Sequence, residues 1–245
     1  MQRGLRVESD SSSTSTFDCS ATVFGDWSST SRSNSALPAC SAVGGIRSPH
    51  FRSVARSIVA APSGRAYLLG MTIRLSSERL DLMPFTSEIL EAMILGESDE
   101  LHVQTGARFS GGIAPPLMED ALPHFLDRLR GSAPPEWWGW LAVDRILGEA
   151  VGSVGFAGPP DDDGLVLLGY SVYPRYERMG YGTEAAGILV QWALAQPGVT
   201  AIRATIPPWN APSLRVAEKL GMCVCGESTD PEVGKVIVFE IKAKA

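Results

Sequence analysis

One segment constrains this chain more than any other. An apolar run from Leu165 to Tyr173 is followed by a short loop, and then Gly180-Tyr181-Gly182-Thr183-Glu184-Ala185-Ala186 opens a helix. The helix reads over 182 to 196, because Ala185, Ile188, Leu189, Trp192 and Ala193 recur at helical spacing. Val199 to Ile206 then reads as a strand. Strand, helix and strand in this order make a crossover, so the two strands are expected to be parallel neighbours in one sheet.

The flanking pattern fills in the rest. Trp137 to Val143, Ala150 to Phe156 and Leu165 to Tyr173 are separated by turn residues such as Pro159-Pro160-Asp161-Asp162-Asp163-Gly164, which suits an antiparallel meander. Arg79 to Pro84 alternates with period two, and Thr86 caps an apolar helix through Ile89, Leu90, Met93 and Ile94. Residues 117 to 130 read as a second helix, interrupted or restarted at Pro123. A helix from Pro212 to Leu220 and strands at 222 to 227 and 235 to 242 close the chain. The predicted class is α/β, a mixed and mostly antiparallel sheet with flanking helices.

Residues 1 to 70 stand apart. Serine recurs throughout, lysine is absent, and the apolar residues follow neither period. Such a segment buries too little surface to offset its ordering entropy, so a disordered tail is expected, with a self-contained domain over 71 to 245. Arg47, Arg52, Arg56 and Arg65 among serines suit an organellar transit peptide, whereas Glu8, Asp10, Asp18 and Asp26 are acids that such peptides avoid. A start assigned upstream of Met71 is the plainer account. The expected location is the cytoplasm, or an organelle if the tail is a transit peptide.

The glycines carry the chemistry. They let the backbone approach a ligand closely, and the N–H groups and dipole of a helix start favour a phosphate. Gly-x-Gly by itself is equally a turn that merely starts a helix. The literal dinucleotide pattern Gly-x-Gly-x-x-Ala is present, but no Asp or Glu occurs between Glu184 and Glu218 to hold a ribose, and the glycines stand six residues beyond Pro174. No Gly-Lys-Ser/Thr follows, which excludes a nucleotide-triphosphate loop. A formal net charge of −6 argues against nucleic acid. Cys19, Cys40, Cys223 and Cys225 lack metal spacing, so no metal is expected, and Cys223 and Cys225 read as buried hydrophobes on one face of a strand. His50, His102 and His124 belong to no motif. No apolar run reaches the roughly 20 residues of a membrane span.

At these residues the chain resembles the GNAT superfamily of N-acetyltransferases, in its RimJ/RimL-like branch. The resemblance rests on Ser77-Glu78-Arg79-Leu80 with Pro84, Gly152-Ser153-Val154-Gly155, Gly169-Tyr170, the Gly180 to Ala186 segment, and Asn210-Ala211-Pro212-Ser213-Leu214-Arg215-Val216-Ala217-Glu218-Lys219-Leu220-Gly221-Met222. It implies a GNAT fold with a splayed parallel strand pair, acetyl-CoA as cosubstrate, and an acetyl group passed to a primary amine on a protein N-terminus or small molecule. By the same resemblance Ser171, Val172 and Tyr173 flank the pantetheine arm, with the Val172 N–H at the thioester carbonyl. Arg178, Met179, Gly180, Tyr181, Gly182 and Thr183 wrap the pyrophosphate. Asn210 holds the pantetheine or its loop, and Ser213 protonates the departing thiolate. The alternative is an acyl-CoA-binding sensor or partner-binding module without catalysis.

Each of these residues has a plainer reading. Asn210 is a good helix cap, Ser213 a first-turn residue bonded to its own backbone, and Glu184 an acid favoured by the helix dipole. Trp137, Trp138 and Trp140 either line a cleft or alternate into the core. Two departures from the family pattern stand out. Glu177 occupies a phosphate-loop position where Gln or Arg is common, and Leu167 stands where many relatives carry a glutamate facing the amine. Asp161, Asp162 and Asp163 read as a solvated turn, not a substitute base.

Overall fold

The computed structural model describes residues 73–114, 116 and 118–244. The expected tail over 1 to 70 and the proposed start at Met71 lie outside the described residues. Among the described residues, eight strands form one sheet, in the order β1-β2-β3-β4-β5-β6-β8-β7. In chain order these are β1 (Leu75–Ser76), β2 (Leu80–Pro84), β3 (Gly139–Asp144), β4 (Glu149–Phe156), β5 (Leu165–Val172), β6 (Ala201–Ile206), β7 (Cys223–Asp230) and β8 (Gly234–Lys242). Every pairing is antiparallel except β5 with β6, the crossover expected from the sequence.

The helices are α1 (Ser87–Leu95), α2 (Ser98–Thr105), α3 (Ala121–Arg130), α4 (Tyr181–Leu194) and α5 (Ala211–Lys219). Thr86 caps α1 by accepting the Ile89 N–H, as its position predicts. The helix expected over 117 to 130, interrupted or restarted at Pro123, is corrected: α3 starts at Ala121 and runs through Pro123, which falls in the first turn, where its missing N–H removes no helical bond. A separate helix, α2, precedes it. β3 also starts later than expected, because Pro135–Trp137 forms a 3-10 turn. Cys225 sits at a bulge between Val224 and Gly226, so the two cysteines do not alternate regularly along β7.

Two faces of the sheet are covered differently. On one, Trp192 of α4 packs against Trp137, Trp140 and Phe156, with ring centroids 5.0, 5.8 and 6.3 Å apart. On the other, Gly139 of β3 lies against the rings of Phe85 and Phe125, bringing α3 down on the sheet. Trp140 is fully buried, Trp138 nearly so, and Trp137 part-buried in the Trp192 cluster, so these tryptophans are core.

β5 changes partners along its length. Leu165, Val166 and Leu167 pair with Ala201, Ile202 and Arg203 of β6, whereas Leu168 to Val172 pair with Phe156 to Gly152 of β4. β6 meanwhile stays with β8 through Ile206. The parallel strands therefore separate after three registered pairs, which is the expected splay. Gly152 holds the β4 side of this gap tight: a Cβ there would collide with the Ser171 carbonyl oxygen and stand 2.9 Å from Val172 Cα.

The β3–β4 turn ties the sheet to α4. One Asp144 carboxylate oxygen accepts the Ile146 and Leu147 N–H groups at 2.9 and 2.7 Å, and the other accepts the Tyr181 hydroxyl at 2.8 Å. Burial alone would raise the pKa of Asp144, but these hydrogen bonds to the Leu147 N–H, the Tyr181 hydroxyl and the Ile146 N–H outweigh it and hold it below its usual value.

Two predictions follow from the packing. Gly152→Ala must push β5 away from β4 and is expected to lower stability by about 1–3 kcal/mol in denaturant titration. Asp144→Asn should cost about 1–3 kcal/mol at neutral pH. Because the folded pKa of Asp144 is depressed, its contribution is present above the carboxylate's ordinary pKa and disappears as pH falls through the folded value. The gap in melting temperature between wild type and Asp144→Asn should therefore close below about pH 4, and a gap constant with pH would contradict this.

Candidate functional site

Backbone geometry at the start of α4 defines the site. Arg178 and Gly180 both adopt left-handed conformations, with φ of 60° and 87°. A non-glycine residue held there costs of order 1–3 kcal/mol, a cost that concentrates at functional sites. Left-handed residues two apart in a loop are the kind of backbone from which anion-binding concavities are built. No side chain caps α4. Its first-turn N–H groups and dipole thus face outward without a carboxylate or hydroxyl to occupy them.

A cleft of about 640 Å³ opens in front of this helix start. Val172 and Tyr170 of β5 form one wall, Arg178, Gly180, Tyr181, Gly182 and Thr183 a second, and Pro212, Ser213, Arg215, Val216 and Lys219 of α5 a third. Gly182 fits helix to strand, since a Cβ on it would come 3.2 Å from Val172 Cγ2. The Tyr173 N–H donates to the Val151 carbonyl at 3.1 Å, so by alternation along β5 the Val172 N–H points to the opposite edge, into the gap left by β6.

The expected site residues divide accordingly. Val172, Arg178, Gly180, Tyr181, Gly182, Thr183 and Ser213 all line the cleft. Ser171, Tyr173, Met179 and Asn210 support it instead. Ser171 is fully buried on the opposite face, its hydroxyl on the Pro116 carbonyl at 2.9 Å, and the Tyr173 hydroxyl donates to the Ile113 carbonyl at 3.0 Å. Both fasten the segment ahead of α3 to β5. The Met179 carbonyl accepts from Arg79, and its side chain is about half exposed. Asn210 is fully buried and caps α5 through the Ser213 N–H at 3.2 Å.

Three features were not anticipated. Tyr170, almost wholly buried, places its hydroxyl 2.9 Å from Ser213 Oγ and 3.0 Å from the Ser213 carbonyl. A strand residue thus sets the orientation of the α5 hydroxyl across 43 residues of sequence. Arg215 and Lys219 stand one helical turn apart on α5 and add positive charge to the wall facing the α4 start. Their four-residue spacing was visible in the sequence, but its direction depends on which face of α5 the sheet leaves open. Glu184, read as an acid favoured by the dipole, is engaged by Ser77 and Arg79.

Electrostatically the cleft favours an anion. Arg178, Arg215 and Lys219 outnumber Glu177, whose Oε1 is buried without a hydrogen-bond partner among the described residues. Burial, and then the hydrogen bond to Asp144, push the Tyr181 phenol up to about 12, so it remains a neutral donor at physiological pH. Among the described residues no group of three or more His, Cys, Asp or Glu side chains is placed to hold a metal, and no helix is long and apolar enough to cross a membrane.

The other face of β5 presents Leu167. Register puts Arg203 beside it and Glu240 beside Arg203, and these two form an ion pair at 2.8 Å with Glu240 only 4% exposed. Asp161 is committed to its own turn, accepting the Asp163 and Leu165 N–H groups at 3.0 and 2.8 Å.

Residues 79–223 match the profile of the acetyltransferase (GNAT) domain, a span that contains every cleft residue above. YjdG of Bacillus subtilis (strain 168), described as an uncharacterized N-acetyltransferase, is 32% identical over 112 residues, 45% of this chain and 67% of that protein. A second protein of that organism, YkkB, described as uncharacterized, is 33% identical over 84 residues, and the match spans about half of its length (49%). Among solved structures, a ribosomal-protein-S5-alanine acetyltransferase from Vibrio fischeri superposes with a TM-score of 0.51 at 16% identity, covering 70% of this chain and 97% of that one, a likeness of fold. By the family match over residues 79–223, this chain belongs to the GNAT acetyltransferases and is an N-acetyltransferase.

Proposed function

We propose that the cleft between β5, α4 and α5 holds acetyl-CoA, and that a primary amine approaching from the Leu167 face attacks the thioester directly. The observation that carries this reading is the uncapped, left-handed start of α4 beside a strand whose Val172 N–H points into an open gap. GNAT enzymes use acetyl-CoA, and each part of the cleft fits a part of that molecule. The loop from Arg178 to Thr183 receives the pyrophosphate, and the cations of α5 face its charge. The apolar wall of Val172, Pro212 and Val216 suits the pantetheine arm.

The chain's own groups supply orientation and electrostatics. The Val172 N–H stabilises negative charge developing on the carbonyl oxygen, and holding the amine against the carbonyl carbon lowers the barrier by proximity. As the C–N bond forms, the amine's proton passes to water. As the C–S bond breaks, Ser213 Oγ, held in place by the Tyr170 hydroxyl, donates its proton to the thiolate and regains one from solvent water. A positioned carboxylate contributes roughly 10² to 10⁴ in rate, which this enzyme forgoes at Leu167. The Glu240 carboxylate on that face is engaged by Arg203.

Gly182→Val is expected to weaken coenzyme A binding by about tenfold or more, because the added side chain drives the α4 start off Val172. Calorimetric titration measures this, and unchanged affinity would refute the site. Ser213→Ala should lower kcat by about 10 to 10²-fold with coenzyme affinity preserved. Wild-type rate should climb with pH as the acceptor's ammonium loses its proton, without a plateau set by an enzyme carboxylate. A plateau that vanishes in Glu240→Gln would instead identify Glu240 as a base.

A further inference from the structure

Side chains of the segment Ser77 to Arg79, just ahead of β2, make polar contacts with the start of α4, about a hundred residues away in sequence. Arg79 Nη2 and Nε reach Glu184 Oε2 at 2.6 and 2.8 Å, and the Arg79 N–H reaches Oε1 at 3.3 Å. Ser77 Oγ donates to the same Oε1 at 2.6 Å. Arg79 Nη1 donates to the Met179 carbonyl at 3.2 Å, and the guanidinium lies 4.8 Å from the centre of the Tyr181 ring. One side chain thereby touches Met179, Tyr181 and Glu184, and its Nη2 stands 3.4 Å from where a Gly180 Cβ would be. Arg79 is not itself among the residues lining the cleft.

We infer that Arg79 is a positioning residue for the phosphate-binding loop: it locks the 178–184 backbone in its anion-accepting form and cancels the charge of Glu184 behind it. This rests on the reading of the cleft as the coenzyme A site. Two physical effects carry it. A loop with left-handed residues at 178 and 180 and no side-chain cap is strained, so without an external anchor it would sample other conformations, and ordering it would subtract from the binding free energy. The planar guanidinium supplies donors in several directions at once, which lets one residue hold a carboxylate and a carbonyl together. A lysine ammonium lacks that geometry. Glu184 in turn is a first-turn acid beside an anion site, and left unpaired its charge would oppose a pyrophosphate. With Arg79 on its carboxylate it becomes an anchor for the loop.

The test compares two acetyl donors, using the full chain and one amine acceptor: acetyl-CoA, and S-acetyl-N-acetylcysteamine, a truncated thioester without pyrophosphate. Arg79→Lys and Arg79→Gln should raise KM for acetyl-CoA and Kd for coenzyme A by about tenfold, the discounted value of charge-assisted contacts at a part-exposed site. kcat with saturating acetyl-CoA should hold, so that the preference for acetyl-CoA over the truncated donor falls by the same factor. Glu184→Gln should produce the same loss, and combining it with Arg79→Lys should add little, because both remove one contact. Thermal melts keep the comparison to folded protein, and if Arg79→Gln fails to fold, Arg79→Lys and Glu184→Gln decide. Equal losses with both donors, or unchanged coenzyme affinity in folded variants, would overturn the inference while leaving the cleft assignment intact. A wild-type protein that does not bind coenzyme A would overturn both.

Discussion

The parting of β5 from β6 is the constraint on which the rest depends. In a continuous sheet each central strand spends its backbone N–H and C=O groups on both neighbours, and a buried group left without a partner is costly. Here β5 keeps β4 from Leu168 to Val172, and β6 keeps β8 through Ile206, but they hold each other only at Leu165 to Leu167. The backbone edge exposed beyond that point is a strand's worth of donors and acceptors facing a gap. An extended, amide-bearing ligand could complete the ladder there, and the proposed placing of the pantetheine arm and thioester carbonyl rests on this.

The loop at the start of α4 meets this gap, and three unrelated contacts hold it there. Gly182 allows the first turn of α4 to lie on Val172, Asp144 takes the Tyr181 hydroxyl, and Glu184 is gripped from the β1–β2 side. The anchors come from β5, from the β3–β4 turn and from the start of β2, so the loop is tied to widely spaced parts of the sheet. Behind them, the Trp192 cluster fixes how α4 lies across β3 and β4. The same arrangement explains the supporting residues: Asn210 organises the start of α5, and Tyr170 orients the serine that this cap helps to place.

Much of the fold was legible because its signals are local. The period of α4, the strand on either side of it and the Thr86 cap each need only near neighbours in sequence to be read. The failures are equally physical. α2 carries only Leu101 and Thr105 as buried residues on an otherwise polar helix, so it has no apolar stripe to detect. The start of α3 moved to Ala121 because the residues before it are held by strand side chains, Ser171 on the Pro116 carbonyl and Ser153 on the Met118 sulfur. The bulge at Cys225 broke an alternation that periodicity alone would continue.

The candidate site divides along the same line. Sequence by itself determined the crossover, the glycine-rich helix start and the family to which they belong, because backbone chemistry at Gly180 and Gly182 depends on residue type and position along the chain. It could not decide what faces what. Whether Glu184 is a bystander or half of a clamp, and whether a tyrosine on β5 reaches a serine on α5, are questions of side-chain direction across about 40 to 100 residues. Only the packing of α4 and α5 against the sheet settles them, since contacts between distant segments arise from the faces that burial selects and leave no periodic trace in the sequence.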